Sequence, residues 1–66
     1  MSVARITEIS STSQKSFEYA IAQGIERATA TLRNVKSAWI KEQEVQVEGN
    51  RITAYKVTMK ITFVLE

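Results

Sequence analysis

The side chains able to do chemistry in this sequence are few, and their types narrow the field before any fold is considered. Histidine and cysteine are both absent, which removes the usual general base and the thiol nucleophile. Their absence also removes zinc ligation of the structural kind and any disulfide. Three glutamates recur at even positions, Glu42, Glu44 and Glu48. Carboxylates spaced that way alternate along a strand and make no facing acid–base pair. They read as a solvated acidic stripe, with a hard-cation site such as calcium as the alternative. No glycine-rich phosphate loop occurs, and the hydroxyl run Ser10–Ser13 has the composition of a helix cap. Enzyme activity is therefore disfavoured.

What remains is Trp39, the sole tryptophan, within "VKSAWIK". By residue type it is either an interface aromatic covered by a neighbouring subunit or a stacking surface for a planar ligand, with Lys56 and Lys60 to assist. An aromatic face also attracts an ammonium group. The nine basic and seven acidic residues leave a net charge of +2. The basic residues are scattered along the chain, without the clustering that nucleic-acid binding requires. No apolar run reaches the length of a membrane span, and "MSVARITEIS" lacks the apolar core of a signal peptide. Lack of cysteine fits the cytoplasm, which is the expected location.

The elements that must position Trp39 follow from periodicity. Proline is absent and only two glycines occur, so the elements should be long, within a single domain spanning residues 1–66. Val3–Ile9 is rich in Val, Ile and Thr and predicts a first strand. Thr12 or Ser13 is the expected N-cap of a helix whose apolar stripe is Phe17, Ala20, Ile21, Gly24, Ile25, Ala28, Leu32 and Val35. Gly24 within that stripe predicts a close approach of helix to sheet. Lys36–Val47 and Ile52–Leu65 predict two further strands. The last is the clearest, since Tyr55, Val57, Met59, Ile61, Phe63 and Leu65 alternate with a more polar set.

Gly49-Asn50 between them is a two-residue hairpin turn. With Glu48 opposite Arg51, Ile40 faces Met59 and Ala38 faces Ile61 on the core side. Ser37, Trp39, Lys41 and Gln43 then share the other face, opposite Thr62, Lys60, Thr58 and Lys56. That register sends Glu42 and Glu44 toward the core side, so a bulge or an overhang beyond the helix is expected there. The result is an α+β fold in β-α-β-β order, one helix on one face of a three-stranded antiparallel sheet with the third strand in the middle. Nothing in the chain covers the second sheet face. A chain this short buries only about 60% of its unfolded surface, and without disulfide or metal the expected remedy is oligomerisation.

This order of elements, with "STSQKSFEYAI", "IERATATLRNV", "EQEVQV" and "AYKVTMKITFVLE" in sequence, resembles the dodecins. These are small β-α-β-β proteins that form hollow dodecamers and, in many members, bind flavins in aromatic pockets between subunits. The resemblance implies a homo-oligomer, a dodecamer, that sequesters riboflavin or FMN without catalysis. Flavin-binding dodecins carry a stacking tryptophan at the start of the second strand and a glutamine near the start of the third. An ungapped placement anchored on "NV" and "EQ" puts Ser37 at the tryptophan position and Lys56 at the glutamine position. Trp39 then falls two residues downstream on the same face, about 7 Å along the strand. Glu42 corresponds to an acidic residue that contacts the ribityl chain in some members. A gapped placement would return Trp39 to the stacking position but sacrifices the "EQ" match.

Serine offers no π face, and lysine has three donors and no acceptor, so neither replaces what it substitutes. The expected pocket is Ser37, Trp39, Glu42, Gln43 and Lys56. The alternative is a flavin-free shell that binds ions or another small anion, in which Glu42, Glu44 and Glu48 matter more than Trp39.

Overall fold

The computed structural model describes residues 3–65. Its elements are β1 (Val3–Ser13), α1 (Phe17–Thr31), β2 (Val35–Glu48) and β3 (Arg51–Leu65). All strand pairs are antiparallel, in the order β1-β3-β2. The expected fold class and the central place of β3 both hold.

Two boundaries differ from the sequence reading. β1 runs on through Ser13 instead of ending at Ile9, because Ser10, Ser11, Thr12 and Ser13 pair with Thr58, Val57, Lys56 and Tyr55 of β3. Ladder pairing with a long neighbour overrides the local preference of serine for caps. Ser11 and Ser13 are buried beneath the helix, and each finds a partner. Ser11 Oγ accepts from Gln23 Nε2 at 3.2 Å, and Ser13 Oγ accepts from the Lys15 backbone N–H at 3.0 Å. The cap is therefore neither Thr12 nor Ser13 but Ser16, whose backbone is extended and whose Oγ accepts from the Tyr19 N–H at 3.0 Å.

At the other end, Leu32 caps the helix, its N–H bonding the Ala28 carbonyl at 2.9 Å. Asn34 turns the chain through φ 59°, a conformation asparagine tolerates. Val35 thus begins β2, opposite Phe63, and is not the last residue of the helical stripe.

The core lies between α1 and one face of the sheet. Ala20 and Ala28 of the helix meet Val57, Met59 and Ile61 of β3, with Ile9, Phe17, Ile21, Ile25, Leu32, Val35, Ala38 and Ile40 packed around them. Small residues on the helix and large ones on the central strand bring the two backbones close. A methyl placed on Gly24 would lie 2.8 Å from Met59 Cε and 3.3 Å from Ser11 Cβ, which accounts for glycine in the apolar stripe. Phe17 meets Tyr55 edge to face, with ring centroids 5.2 Å apart.

The β2–β3 hairpin turns at Gly49, φ 67°, with Glu48 opposite Arg51 as expected. Its strands outrun the helix, and the molecule extends 50 × 19 × 13 Å.

Counting from the turn, register shifts occur between Gln46 and Val47, between Ile40 and Glu42 and, at the start of β2, between Val35 and Ser37. At the first, Thr53 of β3 has no opposite residue, and its hydroxyl donates to the Gln46 carbonyl at 3.2 Å. At the second, Lys41 is the extra residue on β2. The first two shifts are opposite in sense and cancel, so Ile40, Trp39, Ala38 and Ser37 face Met59, Lys60, Ile61 and Thr62 as expected. Between them the register is displaced by one.

Candidate functional site

Residues opposite one another in an antiparallel sheet share a face. Since Val57, Met59 and Ile61 lie beneath the helix, Lys56, Thr58, Lys60 and Thr62 lie on the face turned away from it. Their partners complete four cross-strand rows on that outer face. Ile6, Thr62 and Ser37 form one; Glu8, Lys60 and Trp39 the next; then Ser10, Thr58 and Glu42; and finally Thr12, Lys56 and Glu44. No element of the described chain packs on these rows.

Trp39 is the large aromatic of this face and is 64% exposed. Lys60, directly opposite, holds its Nζ 5.3 Å from the centre of the indole, within cation–π range. The bulge residue Lys41 spans the central strand to Glu8, Nζ to Oε1 at 3.4 Å. Further along, Lys56 approaches Glu44 at 3.7 Å. Both pairs are substantially solvated, so each is worth only about 0.2–1 kcal/mol. Their effect is on the charge pattern. Lys41 and Lys56 each have a carboxylate, whereas Lys60 has none within ion-pair distance among the described residues.

Four of the five residues singled out from the sequence lie on this face: Ser37, Trp39, Glu42 and Lys56. They do not all converge. Lys56 is four positions from Lys60 on β3, about 13 Å along the strand, and it belongs to the Glu44 row. Gln43 is a correction. It pairs with Val57 and so lies on the helix side of the hairpin, because the Lys41 bulge displaces the register by one. The same displacement corrects Glu42 and Glu44, which face away from the helix instead of toward it. Glu8 and Lys41 complete the surroundings of Trp39, and Glu8 was not singled out from the sequence. Only the β1–β3 register places it there, although the alternation of Ile6, Glu8 and Ser10 with Thr7, Ile9 and Ser11 marks its face.

Among the described residues, no three acidic side chains gather closely enough to hold an ion. A separate groove runs between β1 and α1, lined in part by Ile9, Ser11, Gln23, Arg27 and Leu32. None of the five singled-out residues lines it.

An exposed indole on an uncovered sheet, bordered by a lone ammonium, suits a flat ligand. The wider family supports the same architecture. The dodecin family model matches residues 3–66. The calcium dodecin of Mycobacterium tuberculosis is 29% identical over 63 residues, covering 96% of this chain and 89% of that one. Among solved structures, a dodecin from Streptomyces davaonensis superposes with a TM-score of 0.91 at 35% identity, covering 98% of this chain and 96% of its own. An arginine-to-alanine variant of the Thermus thermophilus dodecin gives 0.93 at 29% identity, covering 100% and 98%. The crystal structure of the M. tuberculosis calcium dodecin, described as having a novel calcium-binding site, gives 0.84 at 27% identity, covering 98% and 93%. In sequence, element order and superposition alike, the chain belongs to the dodecin family.

Proposed function

We propose that this dodecin assembles with copies of itself into a hollow dodecameric shell and sequesters a flavin, riboflavin or FMN, between subunits without catalysing a reaction. The observation that carries the reading is Trp39, an indole 64% exposed on a sheet face that the described residues leave bare. Stacking on it holds the isoalloxazine and quenches its excited state. Ser37, in the adjacent row and about 7 Å away, leaves room beside the indole where flavin-binding members carry their own tryptophan. Lys56 holds Glu44 and contributes charge at the far edge of the site.

The test is direct. Micromolar riboflavin or FMN should lose fluorescence on addition of the protein, and Trp39→Ala should abolish that loss. Undiminished flavin fluorescence with the native protein overturns the flavin reading. Light scattering should give a mass about twelve times the 7.5 kDa of the chain; the mass of a single chain overturns the shell.

A second reading, a flavin-free shell that binds calcium, is favoured by similarity to the M. tuberculosis calcium dodecin. Glu42 is its natural ligand here, since Glu8 and Glu44 are engaged by lysines. The remaining ligands would come from symmetry-related copies. Calcium binding by calorimetry, abolished in Glu42→Gln and indifferent to Trp39→Ala, distinguishes it.

A further inference from the structure

Two features of the chain lie away from the Trp39 face and match each other. The first is the end of the β2–β3 hairpin. Val45 faces Tyr55, whose ring meets Phe17 at the start of the helix, and Val47 faces Ile52 further out. These side chains lie on the helix side of the sheet but beyond the helix itself. Val47 and Ile52 are 61% and 52% exposed, and Glu48 and Arg51 then flank the turn. The second feature is the groove between β1 and α1, about 810 Å³ in volume. Ile9, Gly24, Ala28 and Leu32 give it apolar surface, with Glu26 and Arg27 exposed beside them. None of Glu26, Arg27, Glu48 and Arg51 has an ion pair among the described residues.

The hairpin end is thus a tongue, apolar on one face, with one charge of each sign at its tip. The groove is apolar within and carries one charge of each sign at its rim. It runs beside the helix from Gln23 to Leu32, whereas the tongue projects past the opposite end, beyond Phe17, in a molecule 50 Å long. A chain therefore cannot fill its own groove with its own tongue, but a second copy can.

We propose that the hairpin tip of one copy docks in the β1–α1 groove of the next. Val47 and Ile52 lie against the apolar surface around Gly24 and Ala28, Glu48 meets Arg27, and Arg51 meets Glu26. Tongue and groove are different surfaces, so the contact is head-to-tail, and within a closed shell it must return on itself as a ring. This rests on the reading of the protein as a shell, and it names a contact that the Trp39 face does not supply.

The test is dissociation of the assembly on dilution, followed by light scattering, in a fixed concentration of urea below the unfolding transition. Circular dichroism reports whether each variant is folded. Val47→Asp puts an unpaired charge into the apolar contact and should raise the chain concentration at half-dissociation at least tenfold. Arg27→Glu and Glu48→Arg should each raise it about fivefold, a shift that shrinks with added salt. The double variant Arg27→Glu/Glu48→Arg restores opposite charges and should return to within about twofold of the native protein. A single variant that fails to fold while the double variant folds and assembles gives the same answer, since only contact between copies joins the two positions. Single variants that dissociate as the native protein does, or a double variant no better than the single ones, overturn the contact while leaving the shell intact. A native protein with the mass of one chain overturns the shell, and the contact with it.

Discussion

Gly24 and Met59 form a single packing device, and their coupling can be predicted with sign and size. In Gly24→Ala the new methyl gains about 1 kcal/mol of helix propensity. It also arrives 2.8 Å from Met59 Cε and 3.3 Å from Ser11 Cβ, and overpacking of this kind costs about 1–3 kcal/mol. Met59 is flexible at its far end but wholly buried, so its terminal methyl yields by moving against the core side chains around it. The net expectation is a loss of about 1 kcal/mol. Met59→Ala alone opens a cavity and should cost about 2–5 kcal/mol.

With Met59 already truncated, the atom nearest the new methyl is gone and the methyl partly fills the vacated space. Gly24→Ala should then stabilise by about 1 kcal/mol, giving a coupling of about 2 kcal/mol between the two sites. The assay is urea unfolding followed by circular dichroism, at one fixed chain concentration for all four proteins, because association contributes to measured stability. If Met59→Ala does not fold, Met59→Val completes the same cycle with a smaller cavity. Additive effects, to within about 0.5 kcal/mol, would refute the close helix–sheet contact as the reason for glycine at position 24.

Ser16→Ala should destabilise by about 1 kcal/mol through loss of the N-cap, while Thr12→Val, which removes a hydroxyl but keeps a β-branched strand residue, should change stability by less than about 0.5 kcal/mol. Thermal unfolding decides between them, and the reverse order would return the cap to the Ser10–Ser13 run. Deletion of Lys41 should be tolerated, because removing the extra residue leaves Ile40 opposite Met59 and Glu42 opposite Thr58 in a regular ladder. The cost should stay near the 1 kcal/mol or less of one exposed ion pair, and loss of cooperative unfolding in the deletion variant would show that the bulge itself is required.

The sequence was most legible where structure follows from local pattern. Alternation from Tyr55 to Leu65 places Val57, Met59 and Ile61 under the helix, and the Gly49-Asn50 turn sets Glu48 opposite Arg51. Counting outward from that turn reaches Trp39 opposite Lys60 correctly, but only because two bulges of opposite sense cancel on the way. The stretch between them was misread. Gln43 was placed on the Trp39 face and Glu42 and Glu44 on the helix side, but the misfit of those two carboxylates with the core pointed to a bulge or overhang there, and a bulge is present at Lys41. β1 was harder still. Its register with β3 is set by pairing across some fifty residues, from Val3↔Leu65 to Ser13↔Tyr55, with no tight turn to fix it. That non-local pairing turned a run of serines from a cap into a strand and brought Glu8 beside Lys60.

The two sheet faces have different work, and the bulge at Lys41 divides them. Beneath the helix, the buried core cluster has five residues, two of them alanine. A core so small leaves large apolar side chains exposed, among them Ile6 at 59% and Trp39 at 64%, both on the outer face. By turning Glu42 and Glu44 to that face, the bulge keeps charge away from the helix side and places it where copies meet in the proposed shell. The surface that receives the ligand is then also a surface of assembly. A flavin bound between copies but not to separated chains must strengthen the assembly by mass action, about 2.7 kcal/mol per site when the ligand is at one hundred times its dissociation constant. For a chain whose own interior is this slight, ligand and partner contribute stability of the same order as the fold itself, expected at about 3–10 kcal/mol for this length.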